Sequence, residues 1–399
     1  MTQAPRTANP ILQPSPSSRP PGHPLSQSLR QQIRRALVQV GGAALLWCLV
    51  ALPGRAAVEL RVAIREGAPA ITVGSSTTAV VRDRTGQGLG QLPGGRSINV
   101  ASEGGRVRLA SWLGDAFWVE PTDGGYIFIG DRWYRGRVLV TPGANGVTAV
   151  NFVDLEAYLY SVLGGEMPVS WPLEALKSQA VAARSYALYH RSRSQAQPYD
   201  VVSTTASQVY KGLESEAQST RAAVDATRGQ VLTYGGQIIE AVFHSSSGGY
   251  TENVEDVWSR PLPYLRAVED YDAGAPVYQW SVSMPMTDFE RRIAGVGALV
   301  SAVPERTTPR GRVVTLRLQG NAGTRVMSGN EVRQALNLRS TLFSISVAGG
   351  TVNIQGRGYG HGLGLSQWGA NNMARQGRSY QEILTHYYRG ATLSQVQVQ

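Results

Sequence analysis

One carboxylate in the sequence stands where acid–base chemistry could use it. Glu166 lies in "GGEMPVSWPLEALKSQAVAARSYAL" (164–188), between a Gly-Gly pair and a Met-Pro and directly before an alanine-rich segment. Glycine and proline on either side predict a loop. Glu166 is therefore either a solvated loop residue or a carboxyl group held at the mouth of a binding groove, and the local sequence allows both interpretations.

Two cations follow Glu166 on the predicted helix. Lys177 and Arg184 are seven residues apart, so at helical periodicity both lie on the flank of an apolar stripe. The chain has only two lysines, Lys177 and Lys211, among 38 cationic side chains. Because Lys and Arg differ as donors and as point charges, this placement hints at a binding role. The alternative is a side chain that merely reaches solvent from the edge of an apolar surface.

The segment "FHSSSGGYTE" (243–252) gathers a histidine, three serines and an acid within ten residues. A Ser–His hydrolase is disfavoured, because the chain has no G-x-S-x-G elbow and neighbouring polar loop residues commonly hydrogen-bond a turn. His244 stays a candidate site residue, and Glu252 is a candidate second carboxylate.

The segment "GRGYGHGLGLSQWGANNMARQG" (356–377) surrounds His361 with glycines. Glycine at this density lets the backbone approach a ligand or another strand closely. Gln367 and Trp368 add an amide and an aromatic ring, both useful for binding an N-acetyl sugar. A nucleotide-binding G-x-G-x-x-G is excluded because no βαβ unit precedes the segment.

The sequence predicts no metal and no other cofactor. Candidate ligands are His244, His361 and His386 with carboxylates, but they lack the spacing of known zinc motifs. The single cysteine, Cys48, falls in an apolar N-terminal segment. Disulfides, cysteine zinc sites and cysteine nucleophiles are therefore excluded from the rest of the chain.

The elements that position these residues are predicted to be of mixed type. Residues 56–140 alternate as short strands between Gly-rich turns and predict a small β-rich domain of unknown role. The segment "TPGANG" (141–146) that follows predicts either a domain boundary or a hairpin loop. Residues 147–395 mix strands and helices without regular βαβ alternation. The predicted fold class is α+β, with mixed, mainly antiparallel sheets and a few helices.

Three local patterns in the second unit are specific. Pro172 should open a helix that runs to about His190. Residues 231–244 should form a β-hairpin around Gly235-Gly236. Ser379 and Glu382 have the spacing of a capping box at the start of a helix over 379–388.

The N-terminal residues predict an exported protein. Residues 1–35 read as a disordered basic tail, and the uncharged run 36–54 after Arg34 and Arg35 predicts a membrane anchor with the folded part outside the cytoplasm. Secretion after cleavage near residue 56 is the alternative. Residues 1–55 hold six arginines and no acid, which leaves +4 of the net charge of +10 for the remainder. Nucleic-acid binding is not expected of so weak a charge.

Four segments together resemble the stage II sporulation protein D / LytB family. They are "GGEMPVSWPLEALKSQAVAARSYAL", "STTASQVYKG", "FHSSSGGYTENVEDVW" and "GYGHGLGLSQWGANNMARQG", which occur in this order within residues 147–395. The resemblance implies a peptidoglycan lytic transglycosylase with Glu166 as catalytic acid and base. It also implies substrate-binding roles for Lys177, Arg184, His244, Ser246, His361, Ser366 and Gln367.

The resemblance leaves one functional alternative and one departure. LytB-type members are enhancers of a cell-wall amidase, so the chain could be a non-catalytic peptidoglycan-binding partner of such an amidase. Some members bind zinc through the histidine of the "HSSSGG" motif and two downstream cysteines. Those cysteines are missing here, so zinc is not expected.

Overall fold

The structure is a computed structural model that describes residues 58–258 and 260–396 of the 399-residue chain. These residues belong to one compact unit. The predicted basic tail (1–35) and apolar segment (36–54) lie outside them. No helix of the described residues is both long enough and apolar enough to cross a membrane.

Alternating apolar and polar residues produce most of the strands. In chain order the described strands are β1 Glu59–Ala68, β2 Ala70–Ser75, β3 Ala79–Asp83, β4 Gly88–Leu92, β5 Arg96–Glu103, β6 Arg106–Leu109, β7 Trp112–Gly114, β8 Phe117–Pro121, β9 Ile127–Ile129, β10 Arg132–Tyr134, β11 Arg137–Gly143, β12 Gly146–Asp154, β13 Val201–Val202, β14 Gln230–Tyr234, β15 Gln237–Ile238, β16 Phe243–His244, β17 Gln279–Pro285, β18 Leu299–Thr307, β19 Val313–Gly320, β20 Gly323–Ser328, β21 Phe343–Ala348, β22 Thr351–Arg357, β23 Leu365–Ser366 and β24 Thr392–Gln395.

The helices are fewer, and those of the described residues all follow β12. Those of the described residues are α1 Leu155–Glu166, α2 Leu173–Arg193, α3 Gln218–Ala226, α4 Val254–Val257, α5 Met286–Arg292, α6 Gly329–Leu336, α7 Gln367–Arg375 and α8 Tyr380–Tyr387, with a 3₁₀ turn at Gly212–Ser215. The mixed α+β class with mainly antiparallel sheets is thus confirmed.

Two large sheets share the first hydrophobic core. Their strand orders are β13-β1-β12-β11-β8-β3-β4 and β10-β9-β2-β5-β6-β7. The buried faces of both sheets meet in one core, to which α1 and α2 add apolar side chains. β11 and β12 form an antiparallel hairpin whose tip is the segment 141–146, and β1 pairs with β12. Strands from both predicted units therefore lie in one sheet.

Helix α2 lies between two cores. Leu176, Ala180 and Ala183 pack in the first core. Val181 and Ala182, on another face, pack in a second core with α7, α8 and strands β14 and β23. Small side chains on two faces let neighbouring elements approach from both sides, so most of this helix is buried.

A third core belongs to residues 280–354. The sheets β17-β22-β21 and β18-β19-β20 pack there with α5 and α6. The chain leaves the second core before β17 and returns to it at Leu363, directly after this segment.

Two of the three specific local predictions are confirmed, and the hairpin predicted over 231–244 is confirmed only as far as Ile238, since Phe243 and His244 pair with β23 instead. Pro172 is the N-cap of α2, which ends at Arg193, three residues beyond the expected position. β14 and β15 pair antiparallel around Gly235-Gly236, both with positive φ. Ser379 and Glu382 form the capping box of α8.

Candidate functional site

A cavity of about 580 Å³ collects four of the residues singled out by sequence. They are Glu166, His244, His361 and Gln367. Its wall also contains Tyr186, Thr205, Ala206, Ser207, Glu240, Val242, Phe243, Ser245, Trp258, Arg333, Tyr359 and Gly360. Segments far apart in the chain therefore bring two carboxyl groups, two imidazoles and an amide to one cavity.

Glu166 is the last residue of α1 and does not sit in a loop, contrary to the sequence prediction. The two glycines before it are helical and serve close packing. A Cβ on Gly164 or Gly165 would overlap the carbonyl oxygens of Ser215 and Val209. The glycines thus allow the end of α1 to lie against the 209–215 backbone, where the Val209 N–H donates to Glu166 Oε1 at 2.7 Å.

The Val209 donor is held by a buried network. The neighbouring Gln208 is fully buried. It accepts a hydrogen bond from the Tyr158 hydroxyl at 3.0 Å and donates to the Ala183 carbonyl at 3.2 Å. The segment is thereby tied to both α1 and α2, so the Glu166 carboxyl has a fixed orientation.

Burial raises the pKa of Glu166 above its ordinary value, because removal from water disfavours the charged form. The Val209 N–H, the Gln367 side chain and the charge of Lys211 lower the pKa, with smaller effects. Gln367 Nε2 itself is buried and makes no hydrogen bond of normal geometry among the described residues. A neutral Glu166 carries its proton on Oε2, since Oε1 accepts an N–H.

The two histidines are neutral and oriented by backbone carbonyls. His244 Nδ1 lies 3.0 Å from the Leu363 oxygen and His361 Nε2 lies 3.0 Å from the Phe243 oxygen, so each of these nitrogens carries the proton. Burial lowers the pKa of His361 to about 4, and burial also lowers that of His244. His244 Nε2 is buried without a hydrogen-bond partner among the described residues, so it can accept one from a ligand.

Two buried aspartates hold the loop after His244. Asp272 accepts the Gly248 N–H at 2.8 Å and the hydroxyl of Ser246. Asp270 accepts the hydroxyls of Ser247 and Tyr387. Both serines donate to aspartates and not to a histidine, which argues against a serine nucleophile in this loop.

The glycine-rich segment packs against the same loop. β16 and β23 pair in parallel through Phe243–Leu365 and His244–Ser366. A Cβ on Gly360 would lie only 2.7 Å from that of His244, so the close approach requires glycine here. The density of glycine in this segment is therefore explained at least in part by strand packing.

Four predicted binding residues lie outside the cavity wall. The fully buried Arg184 pairs with Glu156 at 2.6 Å. Lys177 bonds Glu174 at 2.7 Å and lies near the Tyr380 ring. Ser246 and Ser366 are fully buried, and Ser366 caps α7 through the Gly369 N–H. All four side chains make their contacts within the protein, and none of them lines the cavity, although Lys177 keeps 19% of its side chain accessible.

Sequence reasoning missed several wall residues. Glu240 is a second carboxylate on the wall, whereas Glu252 is buried beside Thr308 and Arg312 and does not line the cavity. Trp258 and Tyr359 present partly exposed rings, 36% and 45% accessible. Trp258 stands in the quoted "VEDVW" motif. Tyr186, Tyr359 and the run 205–207 also stand in quoted motifs, whereas Glu240, Val242 and Arg333 lie outside all four of them.

Metal ligands do not cluster in the described part of the chain. No group of three or more His, Cys, Asp or Glu residues there is arranged to hold a metal ion. Nδ1 of His244, the histidine of the "HSSSGG" motif, is hydrogen-bonded to the Leu363 carbonyl oxygen.

Comparison with known proteins gives the family. The family model "Stage II sporulation protein" matches residues 143–234. The Stage II sporulation protein D of Bacillus amyloliquefaciens is 37% identical over 265 residues, 62% of this chain and 76% of the relative. The chain belongs to the stage II sporulation protein D / LytB family.

Other matches define the extent of the likeness. An uncharacterized protein of Brachyspira hyodysenteriae is 33% identical over 69% of this chain and 76% of its own length. The "Amidase enhancer" of Bacillus subtilis (strain 168) is 33% identical over 59% of this chain, but only 40% of that relative is covered. Residues 276–364, which include the third core, match a domain of unknown function (DUF8618). The family resemblance inferred from the four motifs is thus confirmed.

Proposed function

We propose that this family member acts on the bacterial cell wall as a lytic transglycosylase that cleaves peptidoglycan glycan strands. The supporting observation is the half-buried Glu166, whose pKa is raised by burial and whose carboxyl faces a cavity of sugar-binding size. A carboxyl group that stays protonated near neutral pH can act as a general acid.

The reaction needs only one carboxyl group. Glu166 donates its proton to the glycosidic oxygen, and the C6 hydroxyl of the muramic acid attacks C1 of the same sugar. The Glu166 carboxylate then takes the C6 proton, which restores the acid and leaves a 1,6-anhydromuramyl end without water. His244 Nε2 and Gln367 Nε2 have no hydrogen-bond partner within residues 58–258 and 260–396, and they offer an acceptor and a donor to the bound sugars.

Two other outcomes are distinguished by the products. Digestion of glycan strands with the purified protein, followed by mass spectrometry, should yield anhydro ends. Reducing ends would mean hydrolysis, which uses two carboxyl groups, and Glu240 on the same wall would be the second. Binding without cleavage would favour the rival function, a non-catalytic enhancer of a cell-wall amidase, which is what one relative is named.

We expect activity to fall as pH rises through the raised pKa of Glu166. The protonated acid starts the reaction, so the alkaline limb of kcat/KM should lie above the ordinary glutamate pKa. Lys211→Gln removes a charge that lowers this pKa, and should shift the limb to higher pH. Lys177→Gln is the matched control and should leave the limb in place, because Lys177 is paired with Glu174. If the alkaline limb of kcat/KM stays at the same pH in the Lys211→Gln variant, Glu166 is not the acid that the limb reports.

We propose that this reaction takes place outside the cytoplasmic membrane, where the glycan strands lie. The uncharged residues 36–54 after Arg34 and Arg35 favour that orientation. A reporter that is active only outside the cytoplasm, fused after residue 56, should be active. Activity of a cytoplasmic reporter at the same junction would overturn both the anchor and the compartment.

A further inference from the structure

A guanidinium group lies at the junction of two cavities. Beside the main cavity is a smaller one of about 140 Å³. The two share Trp258, Arg333, Gly360 and His361 in their walls. Arg333 stands on α6, within the residues that match the domain of unknown function. Among the described residues it is the only lysine or arginine in the wall of the main cavity.

Among the described residues, the Arg333 side chain has no hydrogen-bond or ion-pair partner that would explain its position. Its Nε is buried without a hydrogen bond among the described residues. The neighbouring Arg312 differs, because it donates to the Ser247 carbonyl at 2.8 Å and lies 3.5 Å from Glu252. Asp256 also lines the smaller cavity, but it accepts a hydrogen bond from Asn253 and forms no ion pair with Arg333 in the described part of the chain.

The charge around Arg333 favours an anionic ligand. Arg312 and Arg333 both lie close enough to His361 to lower its pKa, and of these two cations only Arg312 has a carboxylate within 4 Å among the described residues. A buried donor without a partner is costly, and a ligand that supplies an acceptor removes that cost. The planar guanidinium fits a carboxylate through two parallel hydrogen bonds.

We infer that Arg333 binds a carboxylate of the glycan strand and so makes α6 a specificity element of the site. The inference rests on the proposed peptidoglycan substrate and names a recognition group for it. Two sources carry this chemistry: the lactyl group of muramic acid when no peptide is attached, and the carboxyl groups of an attached stem peptide. Neutral N-acetylglucosamine oligomers carry none.

The test measures binding in the Glu166→Gln background, where cleavage is removed. Arg333→Gln should weaken binding of peptide-free glycan strands by roughly 10- to 100-fold, the usual range for a hydrogen bond to a charged group. Binding of chitin oligosaccharides of equal length should change less than about 3-fold, because they lack the carboxylate. Arg333→Lys should restore part of the affinity, because it keeps the positive charge but cannot form two parallel hydrogen bonds to a carboxylate.

The matched control is Arg291→Gln. Arg291 lies in the same 276–364 segment, but its side chain is 73% exposed and outside the cavity. It should leave both affinities unchanged, and thermal unfolding should show that all variants are folded. A loss confined to peptide-bearing strands would support carboxylate binding and assign it to the peptide.

Two results would overturn the inference. The first is an equal loss for charged strands and chitin oligosaccharides, which would give Arg333 a structural role. The second is no loss for any carboxylate-bearing strand. If instead the parent Glu166→Gln protein binds no glycan at all, the proposed function fails, and that outcome is distinct from a failure of the Arg333 assignment.

Discussion

Glu166→Gln should abolish the formation of anhydro-ended products while leaving the affinity for glycan strands close to that of the unmutated protein. Gln keeps the shape of the side chain, and its amide oxygen can still accept the Val209 N–H, but it cannot deliver a proton. Loss of a general acid or base usually lowers the rate by about 10²–10⁴-fold. Here one group serves in both roles, so we expect the upper end of that range.

Glu166→Asp tests the geometry of the same group. The carboxyl would retreat by about one C–C bond and lose its position against the Val209 N–H. A displacement of about 1 Å can lower the rate about 10²-fold. We therefore expect Asp to restore little activity, although it restores the acid.

Glu240→Gln is the matched control for the number of carboxyl groups. Glu240 lies on the same cavity wall, 3.5 Å from His190. In the single-acid mechanism its replacement should lower activity far less than replacement of Glu166. Anhydro ends formed by the Glu166→Gln variant at a near-normal rate would mean that the acid is another residue.

The sequence predicts the centre of the site because the chemistry is concentrated in short segments. Glu166, His244, His361 and Gln367 each stand in a motif where glycine or serine density sets them apart, and the structure brings all four to one wall. The helix cap at Pro172 and the hairpin at Gly235-Gly236 are likewise local. Such features depend on the backbone conformation of a few neighbouring residues, and the residue types at those positions are enough to predict it.

The residues that sequence reasoning misplaced depend on tertiary packing. The sequence pattern shows one apolar stripe on α2, which predicts that the other face is exposed to solvent. In the structure Val181 and Ala182 on that other face pack in a second core. Arg184 is therefore fully buried, where a helix with a single apolar face would leave it at the edge. Arg333 reaches the cavity only because the third core positions α6 beside it, and no short-range pattern reports that.

Asp270 and Asp272 show a different limit. They lie in "VEDYDAG" (268–274), which has the composition of an ordinary exposed turn. Their role can be recognised only in the structure, where they accept hydrogen bonds from the hydroxyls and N–H groups of the serine–glycine loop. Burial of an acid with several donors is a property of the assembled loop.

Arg184→Met should cost several kcal/mol of stability without removing the glycan site. Arg184 donates to both carboxylate oxygens of Glu156, at 2.9 and 2.6 Å, and to the Gln230 carbonyl at 3.1 Å. The pair joins α1, α2 and the start of β14 in the interior. Removing one partner of a buried ion pair leaves the other charge unpaired, which typically costs about 3–5 kcal/mol.

The double variant separates stability from binding. Glu156→Leu with Arg184→Met removes both charges, and replacement of a whole buried pair by apolar residues is often nearly neutral. The double variant should therefore unfold at a higher temperature than Arg184→Met alone. Glycan affinity, measured well below the unfolding temperature, should be unchanged in both. If Arg184→Met instead keeps its unfolding temperature and loses affinity, and the double variant does not recover it, Arg184 contacts substrate as its place in the family motif implies.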